Sequence, residues 1–169
     1  MTVLIAREPR PASAGGWPDP VDASAGLRDL ALLGGQRLLR RSPESRADVH
    51  AALDDGMPYA ALFHLIEHNL HLSEADVAEV IGLSTRTLHR QRSTPKARMA
   101  TDLGSRTWLL AEALAAAVEV MGSRGVAERW MTEPAMGLDG ARPIDLLRTS
   151  QGAELVTDFL GRLEFGVYN

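Results

Sequence analysis

Residues 74–92 read EADVAEVIGLSTRTLHRQR, and the spacing of small and apolar side chains in this stretch decides the fold. Ala78 is small enough to let two helices approach, and Gly82, four residues later, adopts the left-handed backbone of a tight turn at little cost. Leu83 and Leu88 then supply apolar side chains to a core. This order of residues predicts a helix-turn-helix.

The second helix of this motif is expected to carry a polar outer face. It begins near Ser84, a favourable N-cap residue, and ends before Pro95. Gln91 stands where such motifs usually have a second apolar anchor, which predicts a short or loosely held helix. With Leu88 directed inward, the other side chains point towards base edges and phosphates in a major groove. The residues predicted to bind DNA are Ser84, Thr85, Arg86, Thr87, His89, Arg90, Arg92 and Lys96.

Charge is distributed unevenly around this motif. The 169 residues carry 18 basic and 22 acidic side chains, for a formal net charge of −4. Residues 84–101 nevertheless hold five basic side chains and no acidic ones, whereas residues 44–83 hold one basic and eight acidic ones. The basic block favours a phosphate-facing surface. The alternative is an all-α core whose basic face is merely solvated.

The overall composition is that of a globular protein, with 45% hydrophobic, 24% charged and 5% aromatic residues. No apolar run approaches the roughly 20 residues that a bilayer requires, so we expect no contact with a membrane. The N-terminus shows neither a basic lead nor a cleavage-like segment, and a secretory signal is not expected. The absence of cysteine excludes disulfides and thiolate zinc sites, and a cytoplasmic location is the default expectation.

From residue 44 onward the apolar spacing is helical, and no segment alternates with the period of a strand. Residues 100–122 form the longest predicted helix and the expected hub of the fold. Pro143 should open a short helix, and a last helix is expected from Ala153 to Leu163. The sequence therefore predicts an all-α fold.

The chain divides into three predicted parts. Residues 1–43 are rich in Pro, Gly, Ala and Ser up to residue 26, and Gly34 and Gly35 interrupt the helical spacing that follows. This part is predicted to be a largely disordered or loosely helical arm. Residues 44–99 contain the helix-turn-helix, and residues 100–169 form a small helical domain for dimerisation and partner binding.

A second motif points to different chemistry. The run HLIEH at residues 64–68 matches a zinc-hydrolase pattern in which two histidines bind the metal and a glutamate is the general base. His64, Glu67 and His68 would take these roles, and His71 is a further candidate ligand. Because the helix also needs its apolar residues for the core, half-exposed histidines on the flank of the helix are the expected arrangement. No other motif suggests catalysis, so we expect neither an enzyme nor a cofactor.

Two longer stretches together resemble the Xre/MbcA/ParS family of antitoxins. The first is LDDGMPYAALFHLIEHNLHLSEADVAEVIGLSTRTLHR, residues 53–90. The second, RWMTEPAMGLDGARPIDLLRTSQGAELVTDFLGRLEFGV, residues 129–167, carries the more specific signal. The resemblance covers about residues 47–168. It implies an Xre-like helix-turn-helix domain followed by a small helical toxin-binding domain.

The resemblance also implies partners. The usual partner is a RES-domain toxin that consumes NAD or transfers ADP-ribose from it, and the antitoxin covers the NAD pocket while the pair represses its own operon. The expected toxin-binding residues are Arg142, Arg148, Glu164, Phe165, Gly166, Val167, Tyr168 and Asn169. The alternative for the last residues is a terminus docked on its own core.

The leading interpretation is a non-enzymatic antitoxin that binds operator DNA as a homodimer, because two-fold DNA sites are usually bound by two-fold proteins. A stand-alone helix-turn-helix regulator is the second hypothesis, and its C-terminal helices would bind an effector or serve dimerisation. The small zinc hydrolase is the third.

Overall fold

The computed structural model describes most of the chain, namely residues 31–39, 43, 45–69, 72–164 and 166. Within these residues every regular element is helical, as predicted, and the antiparallel pairing of Pro58 with Arg98 is an isolated bridge. No helix in this part of the chain has the length and apolar content needed to cross a bilayer. Several predicted features lie outside the described residues: the arm up to residue 30, His71, Phe165, Val167, Tyr168 and Asn169.

The helices follow one another along the chain as α1, Gln36–Leu39; α2, Arg46–Asp54; α3, Tyr59–His64; α4, Glu74–Ile81; α5, Thr85–Gln91; α6, Thr101–Met121; α7, Arg124–Thr132; α8, Pro143–Leu146; and α9, Ser150–Glu164. A π-helical turn, Leu65–Asn69, continues α3, and a 3₁₀ turn, Met136–Leu138, lies between α7 and α8.

Serine side chains begin four of these helices. Ser73 caps α4 by accepting a hydrogen bond from the backbone N–H of Asp76, and Ser84 caps α5 in the same way. Ser45 and Ser123 do so at α2 and α7. Each cap satisfies one N–H group that the first helical turn leaves without a partner, which fixes where the helix starts.

The long helix α6 is the hub of the fold, as predicted. It packs against α2 and α4 on the N-terminal side and against α7 and α9 on the C-terminal side. Its buried positions combine small and aliphatic residues, which let the neighbouring helices approach: Gly104, Thr107, Trp108, Leu110, Ala111, Ala113, Leu114 and Ala117. One core therefore extends through both halves of the described structure.

The helix that begins at Tyr59 departs from the uniform α-helix expected there. From Leu65 it continues as a π-helical turn, whose hydrogen bonds reach five residues instead of four and so rotate the following side chains. Leu65 is still fully buried, whereas Glu67 and His68 are exposed.

The last helix, α9, begins at Ser150 and not at Ala153. Gly152 lies in the first turn of this helix, and a Cβ at this position would overlap the carbonyl group of Leu146. Its backbone N–H donates to the Thr149 hydroxyl at 3.1 Å, which supplies a cap at the point where α9 packs against α8. The glycine thus permits a close crossing that periodicity alone does not reveal.

Candidate nucleic-acid interface and C-terminal surface

The turn between α4 and α5 has the geometry that the sequence predicts. Gly82 is left-handed, with φ 78° and ψ 30°, and Ala78 is 2% exposed. The N–H of Gly82 donates to the Glu79 carbonyl at 3.2 Å, and that of Leu83 donates to the Ala78 carbonyl at 2.8 Å. These bonds satisfy carbonyl groups at the end of α4 and direct the chain into the next helix.

The second helix of the motif is short and presents a polar face. Leu88 is fully buried, as predicted, whereas Thr85, Arg86, His89 and Arg90 are exposed. Ser84 and Thr87 share a hydrogen bond of 2.9 Å between their hydroxyl groups, and Ser84 also accepts from the Thr87 N–H at 3.1 Å, so the first turn of α5 is held by its own side chains.

Gln91 ends α5 and does not supply an apolar anchor. It is half-buried, and its side-chain oxygen accepts a hydrogen bond from the Thr94 hydroxyl at 3.0 Å. The backbone N–H of Thr94 donates to the Gln91 carbonyl at 2.9 Å. The side-chain amide of Gln91 thus stabilises the turn that follows α5, a helix of seven residues.

Three predicted DNA-binding cations have no competing partner in the described parts of the chain. The side chains of Arg86, Arg90 and Lys96 are exposed, and no carboxylate or carbonyl there accepts a hydrogen bond from them. Such groups are available to an external anion.

Arg92 lies in a different setting. Its guanidinium donates to Glu67 on the π-helical turn and to Glu74 at the start of α4, and its Cζ lies 5.1 Å from the centroid of the Phe63 ring. The hydrogen bond to Glu74, and then the one to Glu67, raises the pKa of the Arg92 guanidinium. Glu74 also lies 3.3 Å from the His89 ring nitrogen Nε2. Arg92 is therefore held by carboxylates within the protein, and the exposed His89 lies beside one of them.

The two arginines expected to bind a toxin also have partners within the chain. Arg142 Nη2 lies 2.8 Å from Asp76 Oδ1, and Arg148 Nη1 lies 2.7 Å from Glu79 Oε1. Both arginines also pair with Asp145 at 3.3 Å. These contacts join the start and end of α8 to the first helix of the helix-turn-helix. Sequence spacing gave no signal for them, because the partners are 66 and 69 residues apart.

Apolar side chains form an additional surface feature of the C-terminal half. The rings of Trp130 and Phe159 stack with centroids 6.0 Å apart, and a Cβ at Gly137 would overlap the Phe159 ring. Met136, next to that glycine, is 92% exposed, and Leu155, one turn before Phe159 on α9, is 55% exposed. Helical periodicity does not distinguish an apolar residue that faces solvent, so spacing gives no sign that Met136 and Leu155 are exposed.

The HLIEH histidines contact protein groups. His64 Nδ1 lies 3.2 Å from the Leu32 carbonyl oxygen, and the rings of His64 and His68 stack at 4.7 Å between centroids. Glu67 binds Arg92. Among the residues that the structure describes, no three His, Asp or Glu side chains are grouped as a metal site would require.

Only part of the predicted C-terminal site can be located. Glu164 is the last residue of α9 and is exposed, and Gly166 is exposed with a φ of 65°. The other four residues of the tail lie outside the described part, so the occlusion of a toxin by the tail stays a prediction.

Two family models match adjoining parts of the chain. One, described as an antitoxin Xre-like helix-turn-helix domain, matches residues 48–112. The other, described as the antitoxin Xre/MbcA/ParS C-terminal toxin-binding domain, matches residues 116–166. The short gap between the two matches falls within α6.

Two curated proteins and one solved structure are also similar to this chain. The protein named Antitoxin Xre from Yersinia enterocolitica (serotype O:8 / biotype 1B) is 34% identical over 99 residues, which span 58% of this chain and 66% of that protein. Antitoxin Xre from Pseudomonas putida is 29% identical over 126 residues, 73% of this chain and 77% of that protein. A chain in the crystal structure of the M. tuberculosis MbcT-MbcA toxin-antitoxin complex is similar with a TM-score of 0.47 and 20% identity, covering 73% of this chain and 96% of that chain.

Proposed function

The chain belongs to the Xre/MbcA/ParS family of antitoxins, and on this basis we propose that it restrains a cognate toxin through its C-terminal half and represses its own operon through the helix-turn-helix. The observation that carries the proposal is the succession, in one chain, of a helix-turn-helix with exposed outer arginines and a region that matches a toxin-binding domain. We propose that residues 44–99 form the DNA-binding part and that residues 100–169 form the part for dimerisation and toxin binding.

The proposed toxin is a RES-domain protein that degrades NAD or transfers ADP-ribose from it. The tail from Glu164 to Asn169 would enter its NAD pocket, where the aromatic rings of Phe165 and Tyr168 and the carboxylate of Glu164 can meet groups that otherwise hold the nucleotide. Steric occlusion requires no chemistry from the antitoxin, so we propose a protein without catalytic activity of its own.

Arg142 and Arg148 can bind a toxin only if they exchange their present ion-pair partners. Each is already paired with carboxylates of the same chain, and both side chains are partly exposed. A toxin carboxylate could therefore replace Asp76 or Glu79 as the partner. The exposed Met136 and Leu155 require no such exchange, and they extend the candidate toxin surface beyond the residues expected from the sequence.

On the DNA side, we propose that α5 enters the major groove with Arg86 and Arg90 towards the bases, and that Lys96 contacts the backbone. Exposure of all three cations supports this arrangement. A homodimer would present two such helices to a two-fold operator.

The proposal is tested by co-expression with the product of an adjacent reading frame of toxin size. The full chain should co-purify with that product and prevent loss of cellular NAD or protein ADP-ribosylation. A chain without residues 164–169 should leave the toxin active while still binding a duplex from the region upstream of its own gene. A chain in which a Gly/Ser sequence of equal length replaces these residues serves as the control for length and should also leave the toxin active.

Two outcomes would contradict separate parts of this proposal. Full suppression of the toxin by both altered chains would reject occlusion by the tail. Failure of the full chain to co-purify with the neighbouring product, together with unaltered toxicity, would reject the toxin partner and favour a stand-alone regulator.

A further inference from the structure

Arg106 reaches from the second turn of α6 to the turn of the helix-turn-helix. A Cβ placed on Gly82 would overlap the Arg106 Nη1 atom and would lie 3.4 Å from its Cζ. The guanidinium therefore occupies the space that a side chain at position 82 would fill. Gly82 is exposed and lies two residues before Ser84, the N-cap of α5. A positive charge is thus present at the entry to the proposed DNA-reading helix.

This guanidinium is free of competing acceptors in the ranges that the structure describes. Arg92 is bound by two glutamates, and Arg98 donates to the Asp55 and Gly56 carbonyl oxygens at 2.8 and 2.5 Å. Arg106 has no carboxylate or carbonyl partner there, although it is only partly exposed. Two arginines of the basic block thus have partners within the protein, while an arginine outside that block is available.

We propose that Arg106 contacts a phosphate of operator DNA beside the turn of the helix-turn-helix. The proposal rests on the DNA-binding part of the proposed function and adds a residue to it. A recognition helix enters the major groove with its N-terminal residues near the bases, so the segment leading into it lies close to the DNA backbone. The planar fork of an arginine matches two phosphate oxygens, and the absence of a side chain at Gly82 leaves room for it.

The role differs from that proposed for Arg86 and Arg90. A phosphate contact fixes the position of the protein on the duplex and carries no sequence information of its own. Loss of Arg106 should therefore weaken binding to every duplex by a similar factor. Each phosphate contact also contributes about 0.9 to the slope of log K against log salt, so the slope should fall by about one unit.

The test compares two neutral variants, Arg106→Gln and Arg106→Met, with the unaltered chain by fluorescence anisotropy across a KCl series. The probes are a labelled duplex from the region upstream of the gene and an unrelated duplex of equal length. Arg129→Gln is the matched control, because it removes one positive charge from an exposed position on α7. Thermal melting identifies the variants that fold, and one folded variant, Arg106→Gln or Arg106→Met, is sufficient for the comparison.

A neutral Arg106 variant that folds and keeps the original salt slope would overturn the proposal. An equal loss of slope in Arg129→Gln would also overturn it, because the loss would then be a general effect of net charge. If the unaltered chain binds neither duplex, the DNA-binding part of the proposed function fails as well. That result differs from normal binding by the Arg106 variants, which rejects this contact alone.

Discussion

At the scale of single residues, Gly82 meets two demands. Its φ of 78° lies in the left-handed region, where a Cβ costs about 1–2 kcal/mol. Its missing side chain also leaves the space that the Arg106 guanidinium occupies. Gly122 at the end of α6 has a similar φ of 75°, but a Cβ there would meet no atom within 4 Å. An alanine at Gly122 would therefore cause backbone strain alone, whereas an alanine at Gly82 would cause backbone strain and a steric contact.

Gly82→Ala and Gly122→Ala should each lower the free energy of unfolding by about 1–2 kcal/mol, because alanine is strained at a positive φ. Only Gly82→Ala should displace Arg106 and reduce the salt slope of DNA binding. Urea unfolding and anisotropy measure the two effects. Equal DNA-binding slopes for the two alanine variants would show that contact with Gly82 does not set the position of Arg106.

At the scale of helices, α4 supports both functional parts of the molecule. Glu74 at its start binds Arg92, which follows α5, whereas Asp76 and Glu79 bind arginines at the two ends of α8. Part of the acidic charge in residues 44–83 is therefore used in ion pairs within the protein. Glu74 holds Arg92 at the end of α5, and Asp76 and Glu79 join the C-terminal half to α4.

Asp76 should make this support dependent on pH. Its hydrogen bond with Ser73, and then that with Arg142, lowers the pKa of the Asp76 carboxyl below its ordinary value of 3.8. Because the folded pKa is depressed, the stabilisation is present above pH 3.8 and is lost as the pH falls through the lowered value. Asp76→Asn should therefore reduce stability at neutral pH, by at most about 1 kcal/mol for a carboxylate near the surface.

Urea unfolding of this variant and of the unaltered chain at several pH values between neutral and acid measures the effect. The difference should vanish in acid, where both side chains are neutral. Asp158→Asn, at an exposed position on α9, is the control. A deficit for Asp76→Asn that stays constant down to strong acid would mean that packing, and not the charge of Asp76, causes it.

At the scale of the whole molecule, α6 unites the two halves in one core. Leu114 is fully buried on this helix, which contacts helices from both halves. Leu114→Ala should lower the free energy of unfolding by about 2–5 kcal/mol and should not change the number of transitions. Circular dichroism and the emission of Trp108 and Trp130, in a Trp17→Phe background, should report one coincident transition. Two separate transitions would contradict a shared core.

The sequence predicted the features that short spacings encode. The Ser84 cap, the Gly82 turn, the buried Leu88 and the long central helix are local patterns, and the structure has each of them. The ion pair between Arg142 and Asp76 was not predicted, because nothing in either local segment specifies a partner 66 residues away.

The same limit applied to the candidate DNA-binding face. The charge pattern along the chain correctly identified Arg86 and Arg90 as outer cations. It also placed Arg92 among the DNA-binding residues, although glutamates from two other elements bind this side chain. The basic block of residues 84–101 ends before Arg106, and this arginine reaches the turn only because α6 packs against α4. Which cations remain available is decided by tertiary contacts.

The position of α6 across the two matched regions also restricts how such proteins can recombine. A crossover between relatives at residues 113–115 would join half of one central helix to half of another and mismatch the faces that contact α2, α4, α7 and α9. A crossover at Gly122 would keep that helix intact. Exchange of partner specificity between family members is therefore expected to retain α6 with the N-terminal half, and the junction after it is the practical point for building chimeras.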